Sequence, residues 1–113
     1  MSKELGLKGE VLAKEYLINK EYIILTTNYK NKIGEIDIIA KKDNVIVFIE
    51  VKTRESIKYG YPREAVNFYK QQKIRNVATV YLKFKGLYDK VLVRFDVIDI
   101  VGDKITHIEN AFW

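Results

Sequence analysis

Apolar positions at the start of the chain repeat with the period of an α-helix. Between Leu5 and Ile18, seven residues fall on one continuous arc at about 100° per residue, with charged side chains opposite: Leu5, Gly6, Gly9, Leu12, Ala13, Tyr16 and Leu17. These glycines, Gly6 and Gly9, each weaken a helix by about 1 kcal/mol relative to alanine. Their place on the inner arc predicts that this first helix closely approaches another element, which we expect to be a sheet.

Three segments with strand character follow the first helix. They run from Tyr22 to Thr27, from Glu35 to Ala40 and from Val45 to Lys52. The last two are joined by a polar link from Lys41 to Asn44, which is rich in turn-forming residues. This order predicts an antiparallel meander of three strands.

Helical spacing returns in the second half of the chain. After a loop that contains Tyr59, Tyr61 and Pro62, apolar residues at helical spacing predict a second helix from Arg63 to Lys83. Gly86 lies just past its predicted end, where a glycine commonly follows a helix.

Two further strands are predicted near the end of the sequence. Val91 to Val101 and Lys104 to Ile108 are separated by Gly102 and Asp103, which predicts a second hairpin, and a tail follows from Asn110. The complete order is αβββαββ, which is typical of an α/β fold. We expect residues 1–113 to form a single domain, because no repeat, low-complexity tract or linker divides them.

Composition narrows the chemistry that this domain can perform. The 113 residues are 48% hydrophobic and 31% charged, which is typical of a folded globular chain. Cysteine is absent and His107 is the single histidine, which excludes thiol nucleophiles, iron–sulfur clusters and the usual zinc sites. We expect His107 to be an exposed strand residue. A bound metal would therefore be held by oxygen ligands, which suit Mg²⁺, Mn²⁺ or Ca²⁺.

The apolar segments give no sign of a membrane span. The first residues contain no apolar core of a signal peptide, and the longest apolar run, Val45 to Ile49, is far shorter than a bilayer requires. We therefore expect a cytoplasmic protein with no membrane partner.

Positive charge is concentrated in the middle of the chain. The net charge is +5, and the segment from Lys52 to Lys90 has ten basic and three acidic residues, a balance of +7. The remainder has ten basic and twelve acidic residues, a balance of −2. This distribution favours a polyanionic partner, although a lysine-rich solvated surface would give the same pattern.

Charged residues in the second and third strands give the main chemical signal. Alternation along a strand places Glu50 and Lys52 on one face of the third strand. The strand pairing that we expect, Ala40 with Val45, puts Asp37 on the same side of the sheet and diagonal to Glu50. A register shift of one residue would separate these three side chains.

Two carboxylates and a lysine on one face suit the hydrolysis of phosphodiesters. Asp37 and Glu50 can hold Mg²⁺ or Mn²⁺, which polarises a phosphate and lowers the pKa of a bound water. Lys52 beside these negative charges stays protonated and stabilises the charge that develops during the reaction. The alternative is a structural ion pair at a strand end, between Lys52 and one of the carboxylates.

Further charged residues lie on the two predicted helices. Glu10 borders the apolar arc of the first helix, either as a third carboxylate of the site or as a solvated boundary residue. Lys70 lies on the inward stripe of the second helix, where a lysine usually extends to solvent past its apolar neighbours. Lys73 and Arg75, nearby on that helix, could reach a phosphate backbone independently of base sequence.

Short motifs in a fixed order span nearly the whole chain. They are Gly6-x-x-Gly9-Glu10-x-x-Ala13, Asn28, Gly34-Glu35-Ile36-Asp37, Phe48-Ile49-Glu50-Val51-Lys52-Thr53-Arg54, Lys70, Arg94-Phe95-Asp96-Val97 and Asn110-Ala111-Phe112. In combination they resemble the YraN-like presumed endonuclease family. That family is placed in the restriction-endonuclease-like PD-(D/E)xK superfamily, close to the archaeal Holliday junction resolvases.

The resemblance implies a restriction-endonuclease-like fold, with a central mixed β-sheet flanked by helices. It implies that Asp37 and Glu50 are catalytic metal ligands and that Lys52 is the catalytic lysine. It also implies that Glu10 is an auxiliary acidic residue of the same metal site. The candidate nucleic-acid-binding residues are Arg54, Lys70, Lys73 and Arg75.

Together, the residues and the resemblance predict a metal-dependent endonuclease that hydrolyses DNA phosphodiesters with Mg²⁺ or Mn²⁺. Branched or otherwise structured DNA is the expected substrate, because no element that reads base edges is recognisable. The resemblance also suggests a homodimer, since symmetric junctions suit two-fold enzymes and one domain offers one active site. The alternative is a nuclease-like fold that binds nucleic acid or protein without catalysis.

Overall fold

The helices and strands follow one another in the predicted order. A computed structural model of the protein describes residues 3–55 and 66–112. The predicted loop around Tyr59, Tyr61 and Pro62 and the predicted helix start at Arg63 lie outside these ranges. The elements are α1 (Lys3–Asn19), β1 (Ile23–Lys30), β2 (Glu35–Lys42), β3 (Val45–Arg54), α2 (Phe68–Phe84), β4 (Leu92–Val101) and β5 (Lys104–Phe112).

The five strands form one mixed sheet in the order β1-β2-β3-β4-β5. β1, β2 and β3 are the predicted antiparallel meander, and β4 and β5 are the predicted second hairpin. β3 and β4 run parallel, and α2 makes the connection between them. Within the described ranges, β1 and β5 each pair on one side only, so they form the two edges of the sheet.

The two helices cover opposite faces of the sheet. α1 buries Ala13 and Leu17 in one core, and α2 contributes buried side chains to the other. Successive residues of β3 enter the two cores in turn, with Val47 on the α1 side and Phe48 on the α2 side. β3 is therefore buried on both faces, as its continuous hydrophobic run indicates. No helix within the described residues has the length and apolar character to cross a membrane.

The close approach of the first helix to the sheet is confirmed at Gly9. A Cβ atom at Gly9 would lie 2.0 Å from Thr53 Oγ1 of β3, a separation that no real side chain tolerates. Glycine is therefore required for α1 to lie at this depth on β3. The same contact fixes the helix next to the end of β3, where the candidate site residues lie.

The register of the β2–β3 hairpin differs from the expected pairing of Ala40 with Val45. Ala40 pairs with Val47, and Lys42 pairs with Val45. The reason is a tighter turn than the sequence indicated, because Asp43 adopts a positive φ of 54° and both strands extend up to the turn. The shift of two residues leaves Ile38, Ile39 and Ala40 on the faces that alternation predicts, whereas Ile36 packs in the same core as Ile39.

Two predicted element ends are also wrong. α2 begins after the expected start, because Asn67 is extended and its side chain accepts a hydrogen bond from Lys70 N, which makes it the N-cap. β5 continues to Phe112, where a tail was expected. The extension follows a bulge near Asn110, which adopts a φ of 56° and lets the chain rejoin β4 with Phe112 opposite Phe95.

Candidate functional site

The site lies where β2 and β3 separate. Their backbone ladder ends at the pair Ile38 and Ile49. One residue further along β2, Asp37 Oδ2 accepts a hydrogen bond of 2.8 Å from the backbone N–H of Val51. A carboxylate thus takes the place of a backbone carbonyl, and this contact holds the Asp37 side chain against β3.

Glu50 is buried beside Asp37. Its side chain is only 8% exposed, although it carries a carboxyl group. The observed register, continued by one residue, sets Asp37 level with Glu50 instead of diagonal to it. Burial and the charge of Glu50 raise the pKa of Asp37 to about 7, and Glu10 adds a smaller effect in the same direction. Crowded carboxyl groups with a raised pKa are typical of functional sites.

Lys70 of α2 brings a positive charge to these carboxylates. Its ammonium group lies 2.8 Å from Glu50 Oε1. Burial disfavours the charge on Lys70, but the hydrogen bond to Glu50 and the charges of both carboxylates outweigh it and raise the pKa of the lysine. The predicted inward position of Lys70 thus corresponds to a contact with a carboxylate.

Lys52 lies close enough to Lys70 for each side chain to affect the pKa of the other. Burial and the Lys70 ammonium lower the pKa of Lys52, and the attraction of Glu50 and Asp37 only partly offsets them. The sequence predicts mainly negative charge around Lys52, and the structure adds the Lys70 ammonium as a neighbouring cation. We refer to Asp37, Glu50, Lys52 and Lys70 as the acid–lysine cluster.

Two clefts meet at Asp37. The first cleft, of about 330 Å³, lies toward α2 and is lined by Gly34, Glu35, Asp37, Glu50, Lys70, Lys73, Ile74 and Val77. The second cleft, of about 260 Å³, lies toward α1 and is lined by Gly6, Leu7, Glu10, Asn28, Glu35, Asp37, Val51 and Thr53. Glu10 therefore faces Asp37 from the side opposite to Glu50.

The oxygen atoms of the cluster fit a hard divalent cation that binds together with a phosphate. Asp37 Oδ1 and Glu50 Oε2 are outside the two contacts described above. Mg²⁺ in phosphate-handling sites commonly uses one or two carboxylates, with water and phosphate oxygens as its other ligands. Residues 3–55 and 66–112 contain no group of three acidic, histidine or cysteine side chains arranged to hold one metal ion. Joint binding of a metal by Glu10, Asp37 and Glu50 stays a prediction.

The other candidate nucleic-acid-binding residues have different surroundings. Lys73 lines the first cleft and lies over the ring of Tyr69, 5.5 Å from its centroid. Arg75 points to another side of α2, where it lies 5.9 Å from the centroid of Phe112. Binding of a phosphate by either residue stays a prediction.

Arg54 is held within the sheet by a buried carboxylate. Its Nε lies 3.1 Å from Asp99 Oδ1, and its side chain is 15% exposed. A second bond from Nη2 to Asp99 Oδ2, at 3.3 Å, makes the pair bidentate. This arrangement gives Arg54 a structural contact, and phosphate binding by it also stays a prediction.

His107 is buried, contrary to the exposed position expected from the sequence. Its side chain is only 7% exposed, and Nε2 lies 2.7 Å from Oδ2 of the fully buried Asp96. The other ring nitrogen lies 3.0 Å from the hydroxyl of Tyr16 on α1. Arg94 forms an ion pair with Asp96, at 2.8 Å. This polar network joins α1 to the β4–β5 hairpin on the sheet face opposite to α2.

Sequence reasoning did not assign Glu35 to the site, although it lines both clefts. The signal for it was present, because Glu35 precedes Asp37 by two residues and strand alternation puts both on one face. Asn31 supports this end of β2, since its side-chain oxygen accepts hydrogen bonds from the N–H groups of Ile33 and Gly34.

Comparison with known proteins relates nearly the whole chain to one family. Residues 9–100 match the model described as "Uncharacterised protein family UPF0102". A UPF0102 protein of Thermodesulfovibrio yellowstonii is 53% identical, over 97% of this chain and 96% of its own. UPF0102 proteins of Alkaliphilus metalliredigens and Caldicellulosiruptor bescii are 50% and 49% identical, over 99% and 97% of this chain and 100% and 98% of theirs.

Proposed function

The chain belongs to the UPF0102 family, the YraN-like family that its motifs indicate, and we propose that it is a metal-dependent endonuclease that hydrolyses DNA phosphodiesters. The observation that carries this proposal is the acid–lysine cluster, in which buried Glu50 and half-buried Asp37 lie together with two partly exposed lysines where β2 and β3 separate. Crowding two carboxylates and two ammonium groups into one place costs a fold stability, and a phosphate-processing site accounts for the arrangement.

The fold class that we propose is restriction-endonuclease-like. The mixed five-stranded sheet and the helix on each of its faces support it. So does the position of Asp37 and Glu50 on adjacent antiparallel strands, with Lys52 two residues after Glu50. This order agrees with the motifs of the resemblance.

Each charged residue of the cluster has a proposed role. Asp37 and Glu50 hold Mg²⁺ or Mn²⁺, which supplies a polarised phosphate and a water of lowered pKa when bound. Lys52 places its ammonium group next to the reacting phosphate and stabilises the negative charge that develops there. Lys70 orients Glu50 through its 2.8 Å contact. Glu10 lines the second cleft with Asp37 and adds negative charge beside it.

Cleavage assays test the proposal directly. Purified protein with Mg²⁺ or Mn²⁺ should cut a plasmid, a flap or a four-way junction, and EDTA should stop the reaction. Asp37→Asn and Lys52→Ala should each lower the cleavage rate by at least about 100-fold, because each removes a charge that acts on the transition state. Both variants should still bind the DNA in EDTA.

Asp103→Asn is the matched control for the loss of a carboxylate. Asp103 lies in the β4–β5 turn with a side chain that is 94% exposed, so its removal should leave cleavage unchanged. The proposal is wrong if wild type cuts none of these substrates, or if wild type, Asp37→Asn and Lys52→Ala cut at the same rate.

A non-catalytic binding module is the second candidate, and the Lys70–Glu50 ion pair favours it. An ammonium group at 2.8 Å already neutralises Glu50 without a metal. In this case binding to nucleic acid would fall steeply with salt and would not require Mg²⁺.

Mn²⁺ titration separates the two candidates. The endonuclease should bind Mn²⁺ in a calorimeter and gain thermal stability from it, by about 2.7 kcal/mol at 100 times the Kd. Glu50→Gln should remove this gain. A melting temperature that does not respond to Mn²⁺ in wild type would favour the binding module.

A further inference from the structure

A third depression lies farther along α2 from the first cleft. It has a volume of about 350 Å³ and lies between α2 and the edge strand β1. We name it the aromatic groove, and its lining residues are Leu25, Thr26, Tyr29, Tyr81, Phe84 and Lys85.

The aromatic groove and the first cleft lie one after the other along the same side of α2. α2 lines the first cleft with Lys70, Lys73, Ile74 and Val77, and then lines the aromatic groove with its later residues. These positions are three or four residues apart, so they lie along one face of the helix. The opposite wall is the β1–β2 hairpin in both cases. From Lys70 to Lys85 the path along the helix is about 22 Å at 1.5 Å per residue.

The charge along this wall is uniformly positive. The 17 residues of α2 include four basic side chains and no acidic one. Lys85 lies 5.9 Å from the centroid of Tyr81, and the aromatic groove contains no carboxylate among its lining residues. An anionic strand along α2 would therefore meet Lys85 at the aromatic groove, and both lysines and the carboxylates of Glu35, Asp37 and Glu50 at the first cleft.

Phe84 is unusual because it is a large aromatic residue of the aromatic groove that is mostly exposed. Its side chain is 84% exposed, whereas Tyr81, three residues before it, is buried. Tyr29 and Tyr81 form the floor, with their rings in edge contact at a centroid distance of 5.1 Å. Exposed aromatic rings beside lysines on a positive track are typical of proteins that bind single-stranded nucleic acid, because bases stack on the rings.

We propose that the aromatic groove binds unpaired bases of the DNA strand whose backbone lies in the first cleft. The inference rests on the proposed function and adds a substrate class, namely DNA with a single-stranded segment beside the scissile bond. Phe84 supplies the stacking surface and Lys85 contacts a phosphate. At 3.4 Å per stacked nucleotide, the 22 Å path corresponds to about six nucleotides.

Binding in EDTA tests the aromatic groove apart from cleavage. The probe is a fluorescein-labelled single-stranded DNA of about 12 nucleotides, compared by anisotropy with a duplex of the same sequence. Phe84→Ala should weaken single-strand binding by about fivefold to 100-fold, the effect of one lost base stack, and should leave duplex binding nearly unchanged. Lys85→Gln should reduce the slope of log K against log salt by about 0.7, as expected for one phosphate contact.

Ile18→Ala is the matched control. Ile18 is an exposed apolar residue, 56% accessible, on α1 at the other face of the sheet. This variant should bind both probes like wild type. Because Phe84 and Ile18 are both exposed, neither substitution should change the folded structure, which thermal melts would verify.

The possible outcomes separate this inference from the proposed endonuclease. If Phe84→Ala binds the single strand like wild type, or weakens single strand and duplex equally, the aromatic groove does not bind unpaired bases. If the variant instead changes the sedimentation coefficient, the groove is an interface between copies and the inference is wrong. If wild type cuts no DNA but Phe84 is needed for single-strand binding, the endonuclease proposal fails and the inference stands.

Discussion

Asp37 is the residue whose charge is least compatible with its surroundings. Burial and Glu50 raise its pKa to about 7, whereas an aspartate in an unfolded chain titrates near 3.9. The folded state thus binds the proton more tightly than the unfolded state. The stability that protonated Asp37 contributes is present below about pH 4 and is lost as the pH rises toward about 7.

Asp37→Asn should therefore stabilise the protein above neutral pH. The amide oxygen can still accept the hydrogen bond from Val51, and the repulsion from Glu50 is removed. We expect the melting temperature at pH 8 in EDTA to rise by about 4 °C or more, and the difference from wild type to vanish near pH 4. Asp103→Asn serves as the control and should melt like wild type at both pH values. A lower melting temperature for Asp37→Asn at pH 8 would contradict this account.

At the scale of the elements, the close packing of α1 on β3 depends on a glycine at position 9. Gly9 lies where any Cβ would overlap Thr53, so the helix and the strand are closer than ordinary packing allows. Glu10 follows Gly9 directly, and Lys52 precedes Thr53 directly. The distance between the helix and the strand therefore also sets the position of two candidate site residues.

Gly9→Ala should destabilise the protein by about 1–3 kcal/mol, the usual cost of overpacking, although alanine favours a helix by about 1 kcal/mol. Urea unfolding should show a lower midpoint. Addition of Thr53→Ala should restore part of the loss, because the atom 2.0 Å from the new Cβ is Thr53 Oγ1. Equal stability of Gly9→Ala and wild type would show that α1 can move outward freely.

The sequence predicted which faces of the elements carry the site, but not which residues touch. Strand alternation put Asp37, Glu50 and Lys52 on one side of the sheet, and this survived a register error because a shift of two residues preserves the face. The register itself depended on the positive φ of Asp43, which the sequence permits without requiring.

Contacts between distant elements were harder to predict than the face of the sheet on which each residue lies. The bond between Lys70 and Glu50 required knowledge of which sheet face α2 covers, and one sequence gives no measure of that. His107 lies opposite Ile98 in the regular part of the β4–β5 ladder, and its burial comes with the rings of Tyr16 and Tyr22 that pack against it. Packing of a helix against a distant hairpin leaves no clear signal in the pattern of apolar residues.

For the whole molecule, Asp37 and Asp96 give opposite dependence of stability on pH. Asp37 lowers stability as the pH rises, as described above. Burial opposes the charge of Asp96, but hydrogen bonds from His107, Arg94 and the Asn110 N–H lower its pKa. The contribution of Asp96 to stability is therefore present above about pH 4 and is lost as the pH falls below it. Together the two carboxyl groups place maximal stability in mildly acidic solution.

Asp96→Asn should destabilise the protein at pH 6 by about 1–3 kcal/mol, because it removes the buried negative charge that Arg94, His107 and the Asn110 N–H contact, although Arg94 keeps its ion pair with Glu109. It should also flatten the loss of stability between about pH 4 and pH 2. Chemical unfolding at a series of pH values would measure both effects. If the variant loses stability between about pH 4 and pH 2 as wild type does, Asp96 does not control that loss.

The predicted homodimer is a property of the whole molecule that sedimentation can test. We expect wild type to sediment as a species of twice the chain mass at micromolar concentration, since a symmetric substrate suits two sites related by a two-fold axis. A monomer at all concentrations, with and without a four-way junction, would contradict this prediction.

The two open edges of the sheet are not equivalent in such an assembly. β1 supplies Leu25, Thr26 and Tyr29 to the aromatic groove, whereas none of the residues of β5 lines it. A second copy that extended the sheet beyond β1 would compete with incoming DNA for the same surface. Extension beyond β5 would keep that surface accessible in both protomers. The choice of edge therefore decides whether self-association blocks DNA binding or doubles the number of DNA-binding surfaces.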